Sequence, residues 1–231
     1  MKRSVFFLLL VLSMSLNAQN NYIAVEALYL KNVNTQGNVL LIRDNLRNAE
    51  MVVDSIVFRG KTGEYSAQVL ANLAYSYFLV HDYGLAYLTG LRYFLFCNTQ
   101  DKRLNDFVKD IMQRSGQKIK IYNIENDISQ ALSKQDQDQK LEFLLRKGVE
   151  NYRYFDGHVI MRILSIAGRN GYKIPAWAKQ LQFYTGLGFS FRKAVRMIDF
   201  NTVDNVQSWI DDPNLNFLQK CRIRFKLRCK K

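Results

Sequence analysis

From Tyr65 to Cys97 the chain runs for 33 residues with only two formal charges, Asp82 and Arg92. Apolar side chains recur there at spacings of three and four, the period of a helix. A bilayer-spanning helix needs roughly 20 apolar residues. Each half of this run offers about fifteen by helical spacing, and the first half carries Ser66, Gln68, Asn72 and Ser76. The reading is therefore a helical hairpin buried in a protein core, because a helix that is apolar nearly all round hides from water inside a fold.

The same period continues along the chain. It predicts helices over Tyr22–Lys31, Asn38–Phe58, Tyr65–Val80, Tyr83–Cys97, Leu104–Arg114, Glu125–Ser133, Gln139–Tyr152, His158–Gly168, Ala176–Phe183 and Phe191–Ile198. Punctuation agrees at several ends. Gly60-Lys61-Thr62-Gly63 reads as a turn, Arg169-Asn170-Gly171 as a helix stop, and Pro175 as the opening of the next helix. Ser115-Gly116-Gln117 and Gln135-Asp136-Gln137-Asp138 read as loops or caps. Two prolines in 231 residues disfavour a turn-rich β-sandwich, and 48% hydrophobic composition excludes a disordered chain. The expected fold is mostly α, an irregular helical bundle or degenerate helical-hairpin array, with a short C-terminal β-strand as an addition.

The N-terminus has a different character. Met1-Lys2-Arg3-Ser4 precedes an eight-residue apolar run, Val5 to Leu12, and a small-residue exit ends at Ala18. That is the order of a secretory signal peptide. The expected organisation is a signal over residues 1–18, a helical domain over 19–219 and a basic tail over 220–231, with a periplasmic or secreted product of 213 residues. The net charge of +13 is unevenly placed: two positive charges lie in the signal and seven in the last twelve residues, leaving +4 on residues 19–219.

Within the apolar run, Leu70, Leu73, Ala74 and Tyr77, followed by Asp82-Tyr83-Gly84-Leu85-Ala86, resemble one tetratricopeptide repeat. Small residues at Ala74 and Ala86 would let two helices approach closely, with Tyr77 filling the groove beside them. Gly90, Tyr93 and Asn98 depart from the family pattern, and no second copy follows at the repeat period of about 34 residues. The resemblance implies a scaffold that binds peptides or partner proteins on a concave face, with Tyr77 and Tyr83 as its partner-facing residues.

No catalytic constellation stands out. The two histidines, His81 and His158, read as helix-turn residues, and His81-Asp82 lacks the earlier histidine that a metal phosphohydrolase would need. Gly-x-Ser-x-Gly is absent, and Thr185-Gly186-Leu187-Gly188 lacks the Gly-Lys-Ser/Thr ending of a phosphate loop and reads as a helix break. Glu142 and Glu150 sit among charges typical of a solvated helix face. Neither zinc spacing nor a cofactor motif is present, so no metal or cofactor is expected.

The tail Cys221-Arg222-Ile223-Arg224-Phe225-Lys226-Leu227-Arg228-Cys229 alternates apolar and basic residues. This predicts a helix to about Gln219 followed by a strand; the alternative is a continuous helix with Leu218, Cys221, Phe225 and Cys229 on one face. Cys221 and Cys229 would lie roughly 26 Å apart in a strand or 12 Å in a helix, beyond the ~7 Å that a disulfide spans. A bridge from Cys97 to either would pin the tail to the core hairpin. Arg222, Arg224, Lys226 and Arg228 form a cationic face that suits an anionic partner, or else protects an edge strand from aggregation. The functional expectation is an exported, non-catalytic binding or scaffold protein with a protein partner. The alternative is a peripheral envelope protein held to anionic lipid or glycan by the tail. Nucleic acid is the least expected partner for an exported chain.

Overall fold

A computed structural model describes positions 46, 49, 50, 53, 54, 57 and 58 and residues 64–97, 100–213 and 215–228, with residues 64–66 and 226 as backbone alone. The expected signal over 1–18, the helix over Tyr22–Lys31, most of Asn38–Phe58 and Cys229 lie outside the described residues. From residue 64 onward the described chain is mostly helical. It forms ten helices and, among the described residues, no strand. Contacts divide it into two units, Met1–Lys134 and Gln135–Lys231. The boundary falls at the loop read between Gln135 and Asp138.

The first unit holds α1 (Glu64–Leu79), α2 (Tyr83–Phe96), α3 (Lys102–Ile119) and α4 (Ile124–Ser133). α1 and α2 form the predicted core hairpin, turned at His81 with a φ of 61°. Asp82 closes the turn by accepting from the Leu85 amide at 3.2 Å, which satisfies one of the amide groups left open at a helix start. Every residue of α2 from Gly84 to Phe96 is buried. The helix packs against α1, α3 and α4, as its all-round apolar surface demands.

Arg92 lies in the middle of that helix and is completely buried. Its guanidinium donates to Asp54, to Glu50 at 2.8 Å and to Thr89 Oγ1 at 2.9 Å. Burial opposes the charge, but the neighbouring Asp54 and Glu50 outweigh it and hold the Arg92 pKa above its ordinary value. Tyr87 on the same helix donates to the buried carboxylate of Asp127 in α4.

α3 runs five residues beyond the predicted Arg114 and absorbs Ser115-Gly116-Gln117, a loop or cap by sequence. Glycine here serves close packing. A Cβ on Gly116 would lie 2.7 Å from the Ile121 carbonyl oxygen and against the Ile124 side chain. The chain therefore reverses tightly over Gly116, helped by Lys120 in the left-handed region with a φ of 58°.

The second unit holds α5 (Gln137–Glu150), α6 (Gly157–Arg169), α7 (Ala176–Gly186), α8 (Phe191–Val195), α9 (Val206–Asp211) and α10 (Phe217–Arg228). Asp136, Asp156 and Asn205 cap their helices through side-chain oxygens. The short α9 has no counterpart among the predicted helices. It is tied to α7 where Tyr184 donates to the Trp209 carbonyl at 2.9 Å, with the Phe183 ring 5.5 Å from Trp209.

The predicted C-terminal strand is a helix. Asn216 and Gln219 form a capping box: the Gln219 amide donates to Asn216 Oδ1 and the Asn216 amide to Gln219 Oε1, both at 2.8 Å. Ile223 and Leu227, four residues apart, share the inward face, with Ile223 fully buried and Leu227 half-buried. A lone strand would also leave its amide groups unpaired, since no described strand is present to receive it. Cys221 is an exposed free thiol, so a bridge from Cys97 does not use it.

Candidate functional site

The second unit contains an open cleft of about 910 Å³ between the start of α6, the end of α7 and the start of α8. α5 stops at Glu150, and the turn that follows projects Tyr152 and Phe155 into the cleft before Asp156 starts α6. Gly157 is the first residue of α6. A Cβ there would fall inside the van der Waals surface of Phe191, so its absence is what lets that ring pack against the helix start. Phe189 and Phe191 close the opposite wall. Four aromatic side chains from two stretches of chain thus line the cleft, Tyr152 and Phe191 half-buried and Phe155 and Phe189 only 6% and 5% exposed.

Cations surround these rings. Arg192 lines the cleft. The Arg222 guanidinium of α10 lies over the Phe189 ring with its carbon 5.0 Å from the centroid, and Lys193 Nζ lies 5.5 Å from the same centroid. Arg196 donates to the Tyr152 hydroxyl at 3.3 Å. Hydrogen bonds from Arg196 and then Arg153 hold the Tyr152 phenol below its ordinary pKa, as a locally positive potential requires. The whole unit from residue 135 has 18 Lys and Arg against 9 Asp and Glu, a net charge of +9.

Asp156 and Thr185 in the wall are engaged locally. Asp156 Oδ1 accepts from the His158 amide at 3.0 Å as the helix cap. The Thr185 hydroxyl turns back onto the Leu181 carbonyl at 2.9 Å. His158 presents an exposed imidazole at the rim, at the helix start where the sequence placed it. Among the described residues no three His, Cys, Asp or Glu side chains are grouped to hold a metal, and no helix is long and apolar enough to cross a membrane. The chemistry on display is flat apolar surface beside delocalised positive charge.

The residues singled out from the sequence are dispersed. Tyr77 belongs to the first unit and is only 4% exposed, so it packs in the core and presents no partner-facing surface. Tyr83, in the same unit, is half-buried; its hydroxyl is 2.9 Å from His81 Nδ1 and its ring 5.6 Å from Phe78. Of the tail cations, Arg222 lies over the buried Phe189 ring, Arg224 pairs with Asp211 at 3.2 Å, and Arg228 is exposed. The Lys226 side chain is outside the described set. Sequence reasoning did not find Tyr152, Phe155, Phe189 and Phe191. Gly157 was the available signal, since a glycine inside a helical period marks either a turn or a close approach.

No family model, curated protein or solved structure matches this chain.

Proposed function

We propose that the chain is an exported binding protein that acts without catalysis, and that the cleft of its second unit receives an acidic segment of a partner protein. The observation that carries this reading is the exposed Arg192 beside the half-buried Tyr152 and Phe191 in one cleft, with Arg196 on the Tyr152 hydroxyl and Arg222 and Lys193 next to the buried Phe189 ring. Aromatic side chains and arginine are the groups that supply most binding energy at protein interfaces, and a +9 unit attracts acidic chains before contact. Export rests on the Met1–Ala18 pattern. The α1–α2 hairpin, which resembles a tetratricopeptide repeat, serves in this reading as the packing centre of the first unit, because α2 is buried on every side.

Selection of random peptides displayed on phage tests this, with the wild-type chain as bait and a Phe191→Ala/Arg192→Glu chain as counter-bait. Enrichment of Asp- and Glu-rich peptides that the altered cleft fails to retain supports the proposal. Peptides without acidic bias, or peptides held equally by both baits, would overturn it.

A further inference from the structure

α10 carries apolar side chains on two faces. Ile223 and Leu227 point inward, whereas Phe217, Leu218 and Phe225 are 78%, 76% and 67% exposed. At about 100° of rotation per residue, Phe217, Cys221, Phe225 and Leu218 fall in one arc of roughly 100°, opposite the buried face. Single exposed apolar residues are ordinary on a protein surface. Three large ones in one stripe of a 12-residue helix are not. Arg224, paired with Asp211 at 3.2 Å, and Arg228 border or interrupt the stripe on one side, Arg222 flanks the other, and no Asp or Glu follows Asp212.

We infer that this outward stripe of α10 docks on an anionic lipid surface, with Phe217, Leu218 and Phe225 entering the headgroup region and Arg228, within the same arc, pairing with lipid phosphate. The helix is about 18 Å long at 1.5 Å per residue, the dimension of a segment lying in the plane of a membrane interface and not of one crossing it. A second copy of the chain is the poorer occupant, since it would bring two surfaces rich in arginine together. The charge selects the anionic surface, and the apolar stripe selects lipid over a soluble polyanion.

Flotation of the full chain with lipid vesicles tests the assignment, using phosphatidylcholine alone and phosphatidylcholine mixed with phosphatidylglycerol. Binding should need the anionic lipid and weaken with salt. Each Lys or Arg near an anionic bilayer contributes roughly a fivefold gain in partitioning, so Arg228→Gln should weaken binding by about fivefold. Phe217→Ser/Leu218→Ser/Phe225→Ser should weaken it at least about tenfold at unchanged charge. The three side chains are exposed, so unchanged emission from Trp177 and Trp209 checks that the variant is folded. In a Phe225→Trp chain the new fluorescence should be quenched by lipid bearing a spin label near the headgroup. Equal flotation with neutral and anionic vesicles overturns the inference, as does a serine triple variant that binds like the wild type. Binding of soluble polyglutamate through the same stripe, with vesicles ignored, assigns the face to an acidic polypeptide instead.

Discussion

Replacing Arg92 with methionine removes the charge that faces Glu50 and Asp54 while keeping a long apolar stem in the middle of α2. Glu50 and Asp54 are 1% and 0% exposed, so neither carboxylate can turn to water without opening the core. A charge pair separated by about 4 Å is worth roughly 4 kcal/mol at an effective dielectric of 20, and removing one partner of a buried pair typically costs about 3 to 5 kcal/mol. With a urea m-value of about 2 kcal/mol/M, a loss near 4 kcal/mol lowers the unfolding midpoint by roughly 2 M. The assay is urea unfolding followed by two probes. Far-UV circular dichroism reads helices in both units, whereas Trp177 and Trp209 both lie in the second unit and report on it alone. The dichroism transition should acquire an early phase that belongs to the first unit. Adding Glu50→Gln and Asp54→Asn to the methionine variant should recover much of the loss, because amides are far less expensive to bury than carboxylates. A single variant whose dichroism midpoint stays within about 0.3 M of the wild type would refute the reasoning.

Two further substitutions probe tight packing and a buried phenol. Gly116→Ala should destabilise the first unit by about 1 to 3 kcal/mol, read by thermal unfolding, because the added Cβ meets the Ile121 carbonyl, a backbone atom that cannot swing away. Tyr184 is raised from 10.0 to about 12 by burial and then by Asp212. A raised folded pKa favours the neutral phenol in the native state, so its contribution to stability is present below pH 10 and is lost as the pH climbs towards 12. Stability measured by urea unfolding should therefore fall over that window in the wild type and fall less in Tyr184→Phe. That variant should also lose about 1 kcal/mol at neutral pH with the bond to the Trp209 carbonyl.

The helices with strong apolar period were legible in the sequence. The Tyr65–Cys97 hairpin appears as α1 and α2 within a residue or so of its expected ends, because a run with two charges in 33 residues has few other ways to fold. Gly116 misled because glycine marks both turns and close contacts, and only the position of Ile121 and Ile124 distinguishes them. The tail misled because alternation along a sequence counts apolar residues without asking which are buried. α10 buries Ile223, half-buries Leu227 and leaves Phe225 out, and the capping box at Asn216 and Gln219 decides for helix. The cleft was illegible because its walls come from residues 152–158, 182–186 and 189–192, whose meeting is a property of packing.

The burial of α2 on every side bears on how this chain can change over generations. An ordinary surface helix drifts freely along its wet face, so accepted substitutions follow the helical period. α2 has no wet face: every residue from Gly84 to Phe96 is buried. Substitutions there must be matched by a neighbour, and the permitted ones lose any period. Among the described residues, α2 is thus a segment whose variation is limited by packing alone, separate from any constraint that a partner imposes.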